Sequence, residues 1–383
     1  MTDYWQCNWY LKHIFNIIYI LLKHVLCNFV PNSNSCLYMH NYLASIVILV
    51  AIGTVPSFAQ DEKKVDRTPH IHGTVRGKYE YQPEDKKGRF EVRTARLSID
   101  GKVTNWVSYK AEIDLSDEGK IKMLDAYTRL SPFSKFDFTI GQMRVPFTID
   151  AHRSPHQQYF ANRSFIAKQV GNVRDVGATV GYTFNVGFPI RLEAGIFNGS
   201  GLTNQKDFWT NNINYSAKAQ IFFPHGFNLT LSTQKIKPDN ISVMMYDAGA
   251  YYHAHNWHVE LEYLYKHYDH GAFHPVHSVD AFVNYDIPLH NKFFSKVSPL
   301  VRYDFMNDHS DGIRYLDGKE NESGAMRITD YKRSRVTAGA TLSIDKPFIS
   351  DIRLNYEKYF YSNDGIPKPS EKDKFVIEVM TRF

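Results

Sequence analysis

Beyond Gln60 apolar and polar residues alternate one by one, in segments of about ten. In the run that starts at Val107, Val107, Tyr109, Ala111, Ile113 and Leu115 alternate with Ser108, Lys110, Glu112 and Asp114. Ile213, Tyr215, Ala217, Ala219 and Ile221 do the same against Asn214, Ser216, Lys218 and Gln220. A third run sets Trp257, Val259, Leu261, Tyr263 and Tyr265 against His258, Glu260, Glu262 and Lys266, and the last sets Phe375, Ile377, Val379 and Phe383 against Glu378 and Arg382. A period of two belongs to a β-strand with one apolar and one polar face. No uninterrupted apolar run in this part approaches the ~20 residues of a membrane helix, and no helical period is sustained.

The alternation predicts sixteen strands, near residues 70–82, 89–101, 105–115, 121–131, 135–142, 173–184, 189–198, 212–222, 226–235, 243–254, 256–267, 276–286, 295–305, 330–343, 350–360 and 373–383. The second changes register near Ala95, as a bulge would cause. Short connections, such as Val103 to Thr104 and Asn185 to Phe188, alternate with longer polar ones, such as 143–172, 199–211 and 306–329. Short turns at one end and long loops at the other are the layout of an outer-membrane barrel. Lipid cannot satisfy free backbone groups, so strands that cross it must close into a ring without edges. The expected fold is all-β, a transmembrane antiparallel β-barrel of sixteen strands, and an even count brings both ends of the barrel to the periplasmic side.

Composition sharpens this reading. With 25 Tyr and 26 Phe, aromatic residues are 15% of the 383, which excludes a disordered chain and suits interfacial girdles as well as ordinary sheet packing. All three cysteines, Cys7, Cys27 and Cys36, fall in the first tenth, so the body can hold neither disulfide nor thiolate metal site. The short apolar stretch Tyr42 to Val55 leads into Pro56, Ser57, Phe58, Ala59 and Gln60, small residues standing one and three before a cut after Ala59. Residues 39–59 therefore read as a secretory signal, residues 1–38 as a mis-assigned upstream extension, and 60–383 as the barrel. Lys12, Lys23 and Asp3 leave with residues 1–59, so 43 of 45 basic and 39 of 40 acidic groups remain. The excess is small and forms no basic run, so no nucleic-acid partner is expected.

The third long loop is about twice the length of most others. Between Met143 and Asn172 it carries Arg144, Arg153, Arg163 and Lys168 against Asp150 alone, with His152 and His156 nearby, a formal excess of +3. Folded into the lumen, such a loop would attract anions, and arginine offers a bidentate fork to phosphate or carboxylate. As a solvated outer loop, it would pair its arginines with wall carboxylates, and composition leaves both readings open.

The run Gly141, Gln142, Met143, Arg144, Val145, Pro146, Phe147, then Ser154, then Asn162, Arg163, Ser164, closed by Arg174, Asp175, Val176, Gly177, resembles the phosphate-selective porin O and P family. The segment Arg93, Thr94, Ala95, Arg96, Leu97, Ser98, Ile99, Asp100, Gly101 is similar to that family's second-strand pattern, and the likeness extends from about 70 to 383. It implies a sixteen-stranded porin of the bacterial outer membrane, usually a homotrimer, with the third loop folded inward and small anions such as phosphate passing along basic side chains. A terminal Phe383 resembles the signal read by the outer-membrane barrel assembly machinery.

Polar parity nominates Arg93, Arg96, Lys110, Arg129, Lys218 and Arg335, together with Arg302 and Arg353, as a basic ladder facing the lumen. Glu112, Asp114, Glu193, Glu260 and Glu262 share those faces, so the wall is mixed and any single arginine can serve a charge network instead. His267, His270, His274 and His277 crowd one long loop, while His253, His255 and His258 belong at the other end of the barrel. No His-Glu-x-x-His pattern, phosphate-cradling glycine loop or nucleophile elbow occurs, so neither metal nor cofactor is expected. A general diffusion porin is the competing function. A barrel enzyme built on Ser154 with His152 or His156 is a weaker one.

Overall fold

The computed structural model describes residues 65–117, 120–169, 173–202, 205–316, 319–320, 324–345, 348–362 and 367–383. The signal segment and the upstream extension lie outside the described residues. Sixteen long strands form the wall: β1 His70–Gln82, β2 Lys87–Lys102, β3 Val107–Asp117, β4 Lys120–Leu130, β5 Phe136–Arg144, β6 Arg174–Asn185, β7 Pro189–Phe197 and β8 Asn214–Phe222 make the first half. The second half is β9 Phe227–Ile236, β10 Val243–Ala254, β11 Trp257–Tyr268, β12 Val276–Tyr285, β13 Lys296–Met306, β14 Arg333–Ile344, β15 Ile349–Tyr361 and β16 Lys374–Arg382. Each pairs antiparallel with the next, and β16 returns to β1 with Thr74 opposite Arg382 and Tyr81 opposite Phe375, which closes the ring. The first and last strands meet at the turn end, where the Gly73 N–H bonds to the Phe383 carbonyl at 2.8 Å.

Burial follows the alternation with its usual sense inverted. Along β11 the polar His258, Glu260 and Glu262 are buried while Val259, Leu261 and Tyr263 are exposed, Leu261 by 54%. The same parity leaves Val301, Ile377 and Val379 exposed and buries Asp304, Arg335 and Glu378 completely. An apolar outside around a polar inside is the reverse of a soluble sandwich and the arrangement of a barrel in lipid.

Three details refine the expectation. The bulge expected in β2 near Ala95 is present and centres on Arg93, because Arg76 faces Thr94 and Gly77 faces Val92. A second bulge leaves Leu124 without a partner between Asp125 and Met123. In the connection from β13 to β14, short strands at Arg314–Leu316, Lys319–Glu320 and Ala325–Met326 form a small separate sheet, too brief for alternation to reveal.

Candidate functional site

The connection from β5 to β6 is built around its own charged side chains. It holds two 3-10 turns, Asp150–His152 and Pro155–Gln157, and a helix α1, Phe165–Gln169. Ser164 starts α1, its hydroxyl accepting from the Ala167 N–H at 3.1 Å and donating to Asp150 Oδ2 at 2.8 Å. Arg163 spreads its guanidinium over three carbonyls, Asp150 and Arg153 at 2.9 Å and Ala151 at 3.2 Å. Arg144 donates to the His152 carbonyl at 2.5 Å. These arginines therefore satisfy backbone that the irregular loop leaves unpaired.

The loop's outside partners are inward-facing groups on strands all around the wall. Ser216 and Lys218 of β8 donate to the carbonyls of Pro146 and Thr148, both at 2.6 Å, and the Ile149 N–H is bonded to Glu262 of β11. Across the ring, Arg76 of β1 reaches the Ala161 carbonyl at 2.8 Å, the Ala161 N–H bonds to Asn355 of β15 at 2.9 Å, and Arg335 of β14 donates to the Arg163 carbonyl at 2.8 Å. Phe165 and Ile166, both fully buried, join one apolar cluster with Met245, Leu264 and Met306. Those three wall residues stand on the polar parity of their strands.

The four loop cations divide into two kinds. Arg153 forks onto Glu260, with Nη1 at 2.8 Å from Oε1, and lies 3.5 Å from Asp150. Lys168 sits 3.4 Å from Glu371. Arg144 and Arg163 have no carboxylate within ion-pair distance among the described residues. Burial lowers Arg163 to about 10, with Arg96, Arg76 and Arg93 working against Asp150, so it stays charged at neutral pH. Lys168 is pushed down to about 8, because burial outweighs the attraction of Glu371. Burial, helped by Lys218 and Arg144, holds His152 neutral, and His156 falls to about 4, also mainly by burial. The loop's positive charge at pH 7 thus rests on Arg144, Arg153, Arg163 and Lys168. Arg153, Arg163 and Arg302 line a small cavity with Asp150 and Asp280, walled by Tyr159, Phe160 and Phe282.

On the wall, Arg96 pairs with Asp114 at 3.0 Å and Glu112 at 3.3 Å, and Lys110 with Glu112 at 2.9 Å and Asp125 at 3.1 Å. Arg335 lies 2.9 Å from Asp304 and 3.4 Å from Glu357, Arg302 2.9 Å from Asp304, and Arg353 2.7 Å from Glu378. Arg129 bonds Thr139 Oγ1 at 3.1 Å and lies over the Tyr127 ring, and Arg93, in the bulge, is 3.8 Å from Glu91. The basic ladder nominated from the sequence lacks Arg76, 2.6 Å from Glu378, and Arg174, 2.7 Å from Asp125. The polar parity of Arg76, Lys78 and Glu80 on β1 could have found the first. Register places Glu262, Asp280, Asp304 and Arg335 side by side on four successive strands, so an acidic ridge ends on an arginine.

The loop histidines do not converge. His267 and His277 stand on the outward parity of β11 and β12, where His277 Nδ1 meets the Tyr263 hydroxyl at 2.7 Å, and His270 is in the connection between them. The Ser154 N–H bonds to Gln157 at 3.1 Å, and among the described residues no hydrogen bond joins Ser154 to His152 or His156.

A closed sixteen-stranded antiparallel ring with an apolar exterior and a charged interior is the architecture of an outer-membrane channel. Solved porins share it. The chain resembles OmpF of Salmonella typhi in complex with daunomycin, at 14% identity and TM-score 0.57 over 83% of this chain and 98% of that one. An anion-selective porin from Comamonas acidovorans is similar at 10% identity and TM-score 0.56, over 83% and 99%. The trimer form of OmpT of Vibrio cholerae is similar at 12% identity and TM-score 0.53, over 82% and 98%. Residues 69–221, β1 through most of β8 with the long loop between, match the model of the phosphate-selective porin O and P family, the family that the sequence motifs resemble. No curated protein matches the sequence. The protein is an outer-membrane porin-type β-barrel.

Proposed function

We propose that the barrel is a passive diffusion channel favouring small anions, phosphate among them, with the β5–β6 loop folded into the lumen as its constriction. The observation that carries this reading is the cationic loop itself. Arg144 and Arg163 hold carbonyls rather than carboxylates, so their charge is uncancelled within ion-pair distance among the described residues. Contacts from the loop to β1, β8, β11, β14 and β15 support its place inside the ring. In a narrow low-dielectric passage, uncancelled positive charge raises the local anion concentration and repels cations.

One observation favours a general porin instead. Arg96, Lys110, Arg335 and Arg353 are each matched by wall carboxylates, which leaves the ladder itself weakly selective. Reversal potentials across a planar bilayer under a salt gradient separate the two, with phosphate then added as a blocker of chloride current. Anion preference with phosphate block supports the first reading, anion preference alone leaves a general anion porin, and cation selectivity refutes both anion readings. A channel without catalysis leaves ester and lipid substrates intact in the same preparations.

The chain assembles as a homotrimer, a reading supported by the trimer form solved for OmpT, with outward apolar side chains against outer-membrane lipid after insertion by the barrel assembly machinery. Native mass measurement in detergent tests the assembly. Residues 1–59 are removed on export, so amino-terminal sequencing of membrane material begins at or near Gln60. Recovery of Cys36 in mature protein refutes this.

A further inference from the structure

At the turn end of the barrel, His253 and His258 face each other across the β10–β11 pairing, one residue pair from the turn at His255 and Asn256. Their Nδ1 atoms are 3.3 Å apart. On the far side of its ring, His258 Nε2 is 3.1 Å from Glu260 Oε2. An ionised carboxylate can only accept there, so the neutral ring carries its proton on Nε2 and turns a lone pair on Nδ1 toward His253.

Two imidazole nitrogens bound at ~2.0–2.1 Å to one tetrahedral cation stand about 3.3–3.4 Å apart. The pair already has that spacing, on two hydrogen-bonded strands that fix it. We propose that His253 and His258 form a chelating site for a borderline divalent transition cation, Zn²⁺ or its neighbours Cu²⁺ and Ni²⁺, at the turn-side mouth of the pore. Imidazole suits those ions, and a carboxylate behind a ligating histidine is the usual means of orienting the ring and raising its basicity. The ring is pre-positioned by stacking on Tyr159 at 4.6 Å and on Phe282 at 5.3 Å. His253 is exposed, so the remaining coordination positions open to water and the ion exchanges freely with the mouth. His255, though adjacent, is turned to the Tyr252 hydroxyl at 3.3 Å. Glu260 also holds Arg153 of the long loop, so the cation binds two side chains away from it. The site rests on the strand pairing, with Glu260 and the Tyr159 and Phe282 rings holding His258, and its existence does not rest on the pore's selectivity.

Calorimetric titration of the folded, tag-free barrel in detergent with Zn²⁺ alone tests it. The wild-type protein is expected to show a site that His253→Gln weakens at least about tenfold and that His255→Gln and His274→Gln leave within about twofold. Unchanged heat mobility on gels checks that His253→Gln is folded. With Cu²⁺, electron paramagnetic resonance of the wild-type protein is expected to show two equatorial nitrogens, a readout that needs no variant. Absence of a zinc site in the wild type, zinc binding unaltered by His253→Gln, or a copper spectrum with fewer than two nitrogens overturns the proposal.

Discussion

Replacing Arg153 by alanine removes one half of a pair whose other half, Glu260, is completely shielded from solvent. Intact, the two charges present a passing ion with a small dipole. With Arg153 gone, the carboxylate acts as a full negative charge beside the loop. An ion on the order of 8 Å away feels one unit charge as ~0.5 kcal/mol in water, and screening at ~0.1 M salt reduces that to ~0.2 kcal/mol. Each sign of ion then changes its local concentration by a factor of about 1.5–2.4, in opposite directions, so the anion-to-cation permeability ratio falls about two- to sixfold. Glu260→Gln removes the opposite partner at nearly constant volume and is expected to shift the ratio by a similar factor toward anions. The double variant returns close to wild type, because the pair leaves together. Breaking such a buried pair also costs about 3–5 kcal/mol, so heat mobility on gels must first show each variant folded. Reversal potentials in planar bilayers give the ratio. A folded Arg153→Ala protein with an unchanged reversal potential, or both single variants moving the same way, refutes the reasoning.

Four further outcomes follow from the structure. Raising the pH through about 8 discharges Lys168, so anion preference present at pH 7 declines toward pH 9, and Lys168→Gln removes that step from the reversal-potential profile. Because its folded value lies below the ordinary lysine value, the same group makes the fold more stable as pH rises from about 8 to about 10.4, measurable as a rising urea midpoint. Leu261→Arg places a charge on the exposed apolar face in the middle of β11 and should lower stability in lipid vesicles by about 2–4 kcal/mol. Gly177→Val drives a Cβ into the Ile196 carbonyl, forcing β6 from β7 at a cost of about 1–3 kcal/mol, again read from the urea midpoint.

Strand number, strand face and ring closure were legible in the sequence because each is a local property repeated sixteen times. A slip of one residue would carry Leu261 inward and Glu262 into lipid, so the alternation fixes the face of β11 without reference to any other strand. The even count then places both ends of the barrel together, as the Gly73–Phe383 pairing has them. The loop's charge was equally plain, but what each charge does was not. Arg153 finds Glu260 from 107 residues away and Arg76 finds Glu378 from 302, distances that only ring closure shortens. Arg163 resembles Arg153 as a residue, yet it ends on carbonyls because the chain folds back around it, and no spacing rule encodes that. A hint of the docking lay in Met245, Leu264 and Met306, apolar residues on polar parity, where water alone would be poor company and Phe165 and Ile166 settle. The histidine pair shows the same division: alternation puts His253 and His258 on the inward face, while the antiparallel register alone sets them opposite each other, 3.3 Å apart at Nδ1.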